Sequence, residues 1–431
     1  MRNLTLENPL LSMNNSIIFR IDWLLLIVYL ILVYFGIVNV YSATYSETLN
    51  GLFDFSEAIG KQFLFIIFSF CIGLIILLIN SKFFEQFATL GFFISMLLLL
   101  GLFFFGKTVS GATSWYTFGA ISFQPSELAK VTTALIIASI LSKFKSDIKY
   151  PKTLFKIGAY ILLPFFLIIL QPDPGSALVF AAFFFPLFRE GLNYTYLIIF
   201  LSAFALFFIT LIFPLNLVIV IITLLILLLY FIVKKHIPKI KIWPFLILLI
   251  VSIGFSFSID YIFNNLFEQR HRDRINIVLG KETDTKGVGY NINQSIIAIG
   301  SGGLKGKGFL EGTQTKGNFV PEQHTDYIFS TIGEEWGFVG SSFIIFLFCF
   351  VILRIIFQAE KQTNKFRRVF SYGIAGLIFT HFFINIGMSL GIVPTIGIPL
   401  PFVSYGGSSL LAFSIMIFIH LNFDANRLND W

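Results

Sequence analysis

The chain has 431 residues, 56% hydrophobic and only 12% charged, with a mean hydropathy of +0.86 and a formal net charge of +7. Too few polar residues remain to cover a water-soluble globule. Repeated apolar runs of about 20 residues fit helices crossing a hydrocarbon core of about 30 Å, whereas the strands of a membrane barrel would read as short alternating segments.

The expected fold is therefore all-α, a polytopic helical bundle. Apolar spans fall near 17–41, 60–80, 84–105, 125–143, 154–170, 175–188, 192–213, 215–233, 243–263, 328–356, 368–390 and 402–423, twelve in all. The first run, "WLLLIVYLILVYFGIVNVY" from Trp23, exceeds a signal-peptide core and lacks a convincing cleavage site, so it is expected to remain as the first span. Basic residues gather in alternate short loops: Lys143, Lys145, Lys149 and Lys152; then Lys234, Lys235, Lys239 and Lys241; then Lys361, Lys365, Arg367 and Arg368. The opposing loops carry "SETLNGLFDFSE", "QPDP" and "GIVPTIGIPLP". This asymmetry puts both termini in the cytoplasm and accounts for most of the net charge. Because the basic clusters are short, separated and juxtamembrane, they read as topology signals, and no nucleic-acid partner is expected.

Cys71 and Cys349 each lie within an apolar run, so neither a disulfide framework nor a CxxC metal or redox site is expected. The 56 phenylalanines take the place of leucine at lipid-facing positions throughout. Residues 264–327 form one large external loop, and no linker or repeat marks a second domain, so 1–431 reads as a single membrane domain in which the 215–242 hairpin looks separable.

Four segments interrupt the apolar pattern, all in the external half. In "GATSWYTFGAISFQPSELAK" a loop with Trp115 leads into a helix begun by Pro125 and Ser126, with Glu127 and Lys130 as i,i+3 neighbours. That pair either neutralises itself at a helix end or places Lys130 toward an anionic ligand. In "LQPDPGSALVF", Asp173 sits between two prolines that disfavour helix, as a polar turn tip or, at membrane depth, as a carboxylate needing a cation or water. The stretch "GSGGLKGKG" fails the P-loop spacing, because Gly308 follows Lys307; its glycines serve tight turns or offer backbone N–H groups to an anion such as pyrophosphate. It leads to "PEQHTDYIFS", where Glu322, His324 and Asp326 precede an apolar run. Asp326 either favours a helix dipole or does chemistry, and the trio alone makes a weak metal site. Finally, "NIGMSLGIVPTIGIPLPFVSYGGSSLLAF" describes irregular backbone at membrane depth, with Ser404 and Tyr405 beside paired glycines that either permit close helix packing or belong to a cavity. Together the segments describe an externally open polar cavity accessible from the lipid.

At "FQPSELAK", "QPDPGSA", "GYNINQSIIAIGSGGLKGKG", "PEQHTDYIFSTIGEEWGFVG" and "GIPLPFVSYGGSS", in that order, the sequence resembles the RodA/FtsW (SEDS) family of peptidoglycan glycosyltransferases over roughly residues 20 to 420. The "GKGFLEGTQT" stretch looks more like the elongation member than the division member. Two departures stand out: "ATSW" lacks the basic residue often found beside the loop tryptophan, and "QPDP" replaces the commoner PDLG. The resemblance implies a family core of ten spans, here with an extra pair near 192–242. It implies polymerisation of lipid II into glycan strands at the outer face of the bacterial cytoplasmic membrane, during elongation and shape maintenance. A class B penicillin-binding transpeptidase is the implied partner. By its match to the family's external-loop aspartate, Asp326 is the expected base. Lys130 and Lys307, with a divalent cation (Mg or Mn), are expected to stabilise pyrophosphate. Glu127 and Asp173 give electrostatic support, Trp115 packs on sugar or lipid, and Glu322, His324, Ser404 and Tyr405 complete the substrate site. The alternatives are a flippase for the lipid-linked precursor and a noncatalytic scaffold for the transpeptidase.

Overall fold

The computed structural model describes residues 17–45, 57–109, 111–119, 121–143, 147–266, 269–279, 281 and 288–427. After a single turn at Ile17–Arg20, the helices are α1 Trp23–Thr44, α2 Ala58–Leu78, α3 Ser81–Phe105, α4 Pro125–Ser142, α5 Pro151–Ile169, α6 Pro174–Arg189, α7 Tyr194–Ile212, α8 Leu215–His236, α9 Trp243–Tyr261, α10 Gln269–Val278, α11 Val288–Ser301, α12 Thr313–Lys316, α13 Ile328–Lys361, α14 Lys365–Ser389 and α15 Gly407–Ala425. Their starts follow local chemistry. Asp22 caps α1 by accepting from Leu25 N at 3.1 Å, and α4, α5 and α6 begin with proline, whose missing N–H is harmless there.

Helices occupy all twelve expected positions, and eleven among the described residues are long and apolar enough to cross a membrane. The exception is α6, built from α, 3-10 and α pieces of five, five and six residues. At about 1.5 Å per residue it falls short of a 30 Å core.

Contacts gather in two compact units, residues 1–192 with 291–431, and residues 193–290. In the first unit, α4, α14 and α15 are central. Their most apolar stretches are 89, 72 and 83% buried, with hydropathies of only 1.2, 1.6 and 1.5, whereas peripheral α2 and α3 reach 2.4. Helices hidden from lipid need not be greasy, and Ser and Thr can bond between them: Ser95 Oγ meets Thr132 Oγ1 at 2.7 Å. The second unit, which includes the 215–242 hairpin, packs α8 on α9 and α9 on α7, joined by Thr210 and Ser256 at 3.2 Å. Each of its three spans is 11% buried.

Two features were not expected from sequence. Between α3 and α4 runs a three-stranded antiparallel sheet, β1 Lys107–Val109, β2 Ala112–Phe118 and β3 Ile121–Phe123, with Trp115 opposite Lys107 and Tyr116 opposite Phe123. In addition, α13 is broken at Gly337 (φ 63°, ψ −158°). At this break the glycine-rich segment lies on the helix backbone. Lys307 N and Gly308 N donate to Glu334 O and Glu335 O at 3.0 Å each, and Phe338 N returns a bond to Gly303 O at 2.9 Å. A Cβ on Gly306 would stand 2.0 Å from Glu335 O, so close backbone approach is the reason for glycine there. Those two amides are spent on carbonyls and are not aimed at an anion.

Candidate active site

The site is organised by the irregular segment 390–406 between α14 and α15. With Pro394, Pro399 and Pro401 it cannot form a ladder of its own, so neighbours must satisfy its backbone. They do so while gripping the stretch before α13 through consecutive carbonyls. His324 O accepts from Tyr405 N (2.8 Å), Thr325 O from Ser404 Oγ (2.6 Å) and Asp326 O from Asn385 Nδ2 (2.8 Å). Next in sequence, Tyr327 OH bonds Thr395 Oγ1 at 2.5 Å. On the other flank, Gln62 receives Gly406 N at 3.2 Å.

The backbone of Asp326 is thereby immobilised while its side chain stays half-buried. Gly397, at φ +80°, lies against it, and a Cβ there would be 3.4 Å from Asp326 Oδ2. Asp326 is not the helix cap. The N-cap of α13 is Tyr327, without a side-chain cap bond. Glu322, exposed with φ 55°, closes a turn in which Thr325 N bonds Glu322 O at 3.1 Å. The His324 ring lies tilted against Tyr405, centroids 5.6 Å apart and planes at 46°, and burial holds its pKa below the usual 6.5 against the opposing charge of Glu322. Burial raises the Tyr405 pKa. Glu322, His324 and Asp326 do not converge as metal ligands, and no group of three such residues does so among the described residues.

The remaining expected residues fall into separate groups. Lys130 is fully buried, its Nζ 2.7 Å from Glu127 Oε1 and 3.0 Å from His381 Nε2. Asp173 caps α6 by accepting from Ser176 N (3.0 Å) and receives Gln124 Nε2 at 3.1 Å, joining the sheet to α6. Gly175 of α6 touches segment 390–406, since a Cβ on it would be 2.5 Å from Ile396 O. Trp115 stands half-buried on β2. Lys307 is paired with Glu334 at 2.7 Å. The Glu334 carboxylate also accepts from Gln314 N (2.9 Å), Thr315 N (2.8 Å) and Thr315 Oγ1 (2.8 Å), stapling the loop that carries α12 to α13. Its neighbour Glu335 accepts from Ser42, with the Leu310 amide nearby, while Glu335 Oε2 has no hydrogen-bond partner among the described residues.

Sequence reasoning missed Gln62, Asn385, Thr395, Gly397, Glu334 and His381 as parts of this arrangement. A usable signal existed for some of them: His381 and Asn385 are polar groups four apart inside a span, where an unpaired polar side chain is expensive.

Comparison with known proteins gives a consistent result. The family model for the cell cycle proteins FtsW, RodA and SpoVE matches residues 22–217 and 215–429. The chain is 32% identical over 360 residues to the peptidoglycan glycosyltransferase MrdB of Escherichia coli, covering 81% of this chain and 82% of that protein. It is 30% identical over 435 residues to the peptidoglycan glycosyltransferase RodA of Treponema pallidum, covering 94% and 98%. The fold is shared with a chain of a peptidoglycan synthase complex (TM-score 0.69, 24% identity, 95% and 99% covered). It is shared also with the rod shape determining protein RodA of Thermus thermophilus (TM-score 0.61, 22% identity, 95% and 98% covered). The chain belongs to the FtsW/RodA/SpoVE family and is a multi-pass membrane peptidoglycan glycosyltransferase.

Proposed function

We propose that this enzyme polymerises lipid II into glycan strands at the outer face of the bacterial cytoplasmic membrane during cell elongation, with Asp326 as general base. The observation that carries the reading is the grip on 324–326. Three carbonyls in succession are tied to Tyr405, Ser404 and Asn385, while the Asp326 side chain is left half-buried beside a glycine. Such a carboxylate is preorganised at little further entropy cost. In the reaction the acceptor hydroxyl gives its proton to Asp326, its oxygen bonds the anomeric carbon of the donor sugar, and the bond from that carbon to the lipid pyrophosphate breaks.

The departing pyrophosphate needs positive charge. Lys307, whose side chain is 26% exposed, can share its ammonium between Glu334 and the leaving group. Lys130 lies beneath the surface and acts through the Glu127 pair rather than by contact. A divalent cation, Mg or Mn, would be held by Asp326 and by substrate oxygens, the pattern of sites that bind the metal through one or two carboxylates. Asp173 fixes the α6 turn, and Trp115 offers a ring to sugar or lipid. Glu322 and His324 form the rim.

A class B penicillin-binding transpeptidase is the proposed partner, supported by the shared fold with a chain of a peptidoglycan synthase complex. Both termini are assigned to the cytoplasm by the distribution of basic loops. A flippase would use charged groups toward the cytoplasmic end. Among those there, Asp22, Arg354 and Asp424 are engaged with one another, with Gln358 and with the α1 cap, and Glu190 with Lys365 and Arg368, as structural groups are. The test is conversion of labelled lipid II to glycan by the purified protein with its transpeptidase. Polymer is expected; lipid II moved across vesicles without polymer would overturn the reading.

A further inference from the structure

We propose that His381 is a positioning residue, the link through which the buried Glu127–Lys130 pair holds the segment that carries Gly397 against the Asp326 carboxylate. The inference rests on the assignment of Asp326 as the base. Its observations are independent of that assignment.

Lys130 is 0% exposed, and a buried ion pair adds little net stability over apolar packing, so its presence asks for another reason. Its ammonium can only donate. Since Lys130 Nζ lies 3.0 Å from His381 Nε2, that nitrogen must accept, which places the ring proton on Nδ1. His381 Nδ1 then donates to Pro399 O at 3.0 Å. The ring plane is fixed by an edge contact to Phe413, 4.8 Å between centroids at 82°. One helical turn further along the same face of α14, Asn385 Nδ2 donates to Ile398 O and to Asp326 O, both at 2.8 Å.

Adjacent carbonyls of the segment, 398 and 399, and the carbonyl of Asp326 are thus held by one helix face, with Gly397 immediately before them. The charge on Lys130 selects the tautomer that makes this possible. Without it, His381 is free to put its proton on Nε2, and the Nδ1 lone pair then faces the Pro399 carbonyl. The segment would shift, and with it the wall of the Asp326 site.

The experiment uses the full chain, purified in detergent with its transpeptidase, and labelled lipid II. Lys130→Met and His381→Leu should each lower kcat by about 10- to 100-fold, the scale expected for a displacement near 1 Å, with KM within about threefold. The double variant should be no slower than the slower single. His381→Asn, whose amide nitrogen can stand where Nδ1 stands, should retain most of the turnover that His381→Leu loses. Nitrogen-15 NMR should report a proton on Nδ1 in the wild type and loss of that single tautomer in Lys130→Met.

Wild-type kcat in His381→Leu, alongside an inactive Asp326→Asn, would overturn the link and leave the base standing. Multiplying losses in the double variant would also overturn it. An active Asp326→Asn would overturn both readings. If His381→Leu does not fold, His381→Asn is compared with His381→Gln, whose amide sits where Nε2 sits, and equal activities would overturn the proposal.

Discussion

Glu334 and Glu335 are consecutive, both buried, and open to the same conservative substitution, yet opposite outcomes are expected. In Glu334→Gln an NH2 replaces one carboxylate oxygen. Turned one way it meets Lys307 Nζ and Gln314 N, which approach Oε1 at 2.7 and 2.9 Å. Turned the other way it meets Thr315 N and Thr315 Oγ1, which approach Oε2 at 2.8 Å each. Either orientation sets donors against donors, strands a backbone N–H and removes the charge facing Lys307. Hydrogen bonds to a charged group are worth about 1.5–3 kcal/mol each, so loss of the staple should cost about 3–5 kcal/mol. In Glu335→Gln one oxygen still accepts from Ser42, and the new NH2 occupies the place of an oxygen that has no hydrogen-bond partner among the described residues, for a change within about 1 kcal/mol. Hydrogen exchange at the Gln314 and Thr315 amides reads this directly. Opening eased by about 3–5 kcal/mol accelerates exchange by about 10²–10⁴-fold in Glu334→Gln, with little change in Glu335→Gln. Equal acceleration in both variants, or none in Glu334→Gln, would refute the staple.

Further outcomes follow from neighbouring geometry. Gly306→Ala drives a Cβ to 2.0 Å from Glu335 O at φ +80° and should undock the loop as Glu334→Gln does, whereas Gly303→Ala, at φ +55° with nothing within 4 Å, should cost only about 1–2 kcal/mol of strain; thermal unfolding separates the two. Burial lowers the His324 pKa below 6.5, so the folded protein binds fewer protons there than the unfolded chain. Stability from this group is complete above pH 6.5 and is lost as pH falls from 6.5 through the folded value; His324→Gln should flatten melting temperature against pH in that window, and an unchanged slope would contradict it. Single cysteines at Thr313, Lys235 and Lys365, in a background lacking Cys71 and Cys349, should react with an impermeant reagent in intact cells only at position 313.

The spans were legible because lipid imposes a plain rule: each crossing must be a long apolar helix satisfying its own backbone. Expected and observed ends differ by a few residues, as at 154–170 against Pro151–Ile169, and more at the last span, where 402–406 belong to the irregular segment. The break between α5 and α6 was foreshadowed by Pro172 and Pro174, but the 3-10 stretch inside α6 was not. The sheet at 107–123 escaped notice because strands of three, seven and three residues leave almost no alternation to detect. The polar segments identified the right parts of the chain without giving their pairings. Lys307 read only as a cation for pyrophosphate, because its partner Glu334 lies 27 positions away inside an apolar run. Lys130 and Glu127 were correctly paired by spacing, yet their third member, His381, is 251 positions from Lys130 and only tertiary packing reveals it. Glycines at 306 and 397 were visible as glycines, while their reasons, a helix carbonyl at 2.0 Å in one case and a backbone held at φ +80° in the other, belong to the fold.

The role of Asp326 is tested most directly by Asp326→Asn, assayed for glycan product from labelled lipid II with the transpeptidase present and thermal stability matched to wild type. The substitution keeps the shape and most of the hydrogen-bonding capacity and replaces the basic oxygen by an NH2. If the carboxylate is the base, the variant binds substrate and polymerises it about 10²–10⁴-fold more slowly. Wild-type amounts of polymer would contradict the account and leave "PEQHTDYIFS" as a loop-to-helix junction with no part in the chemistry.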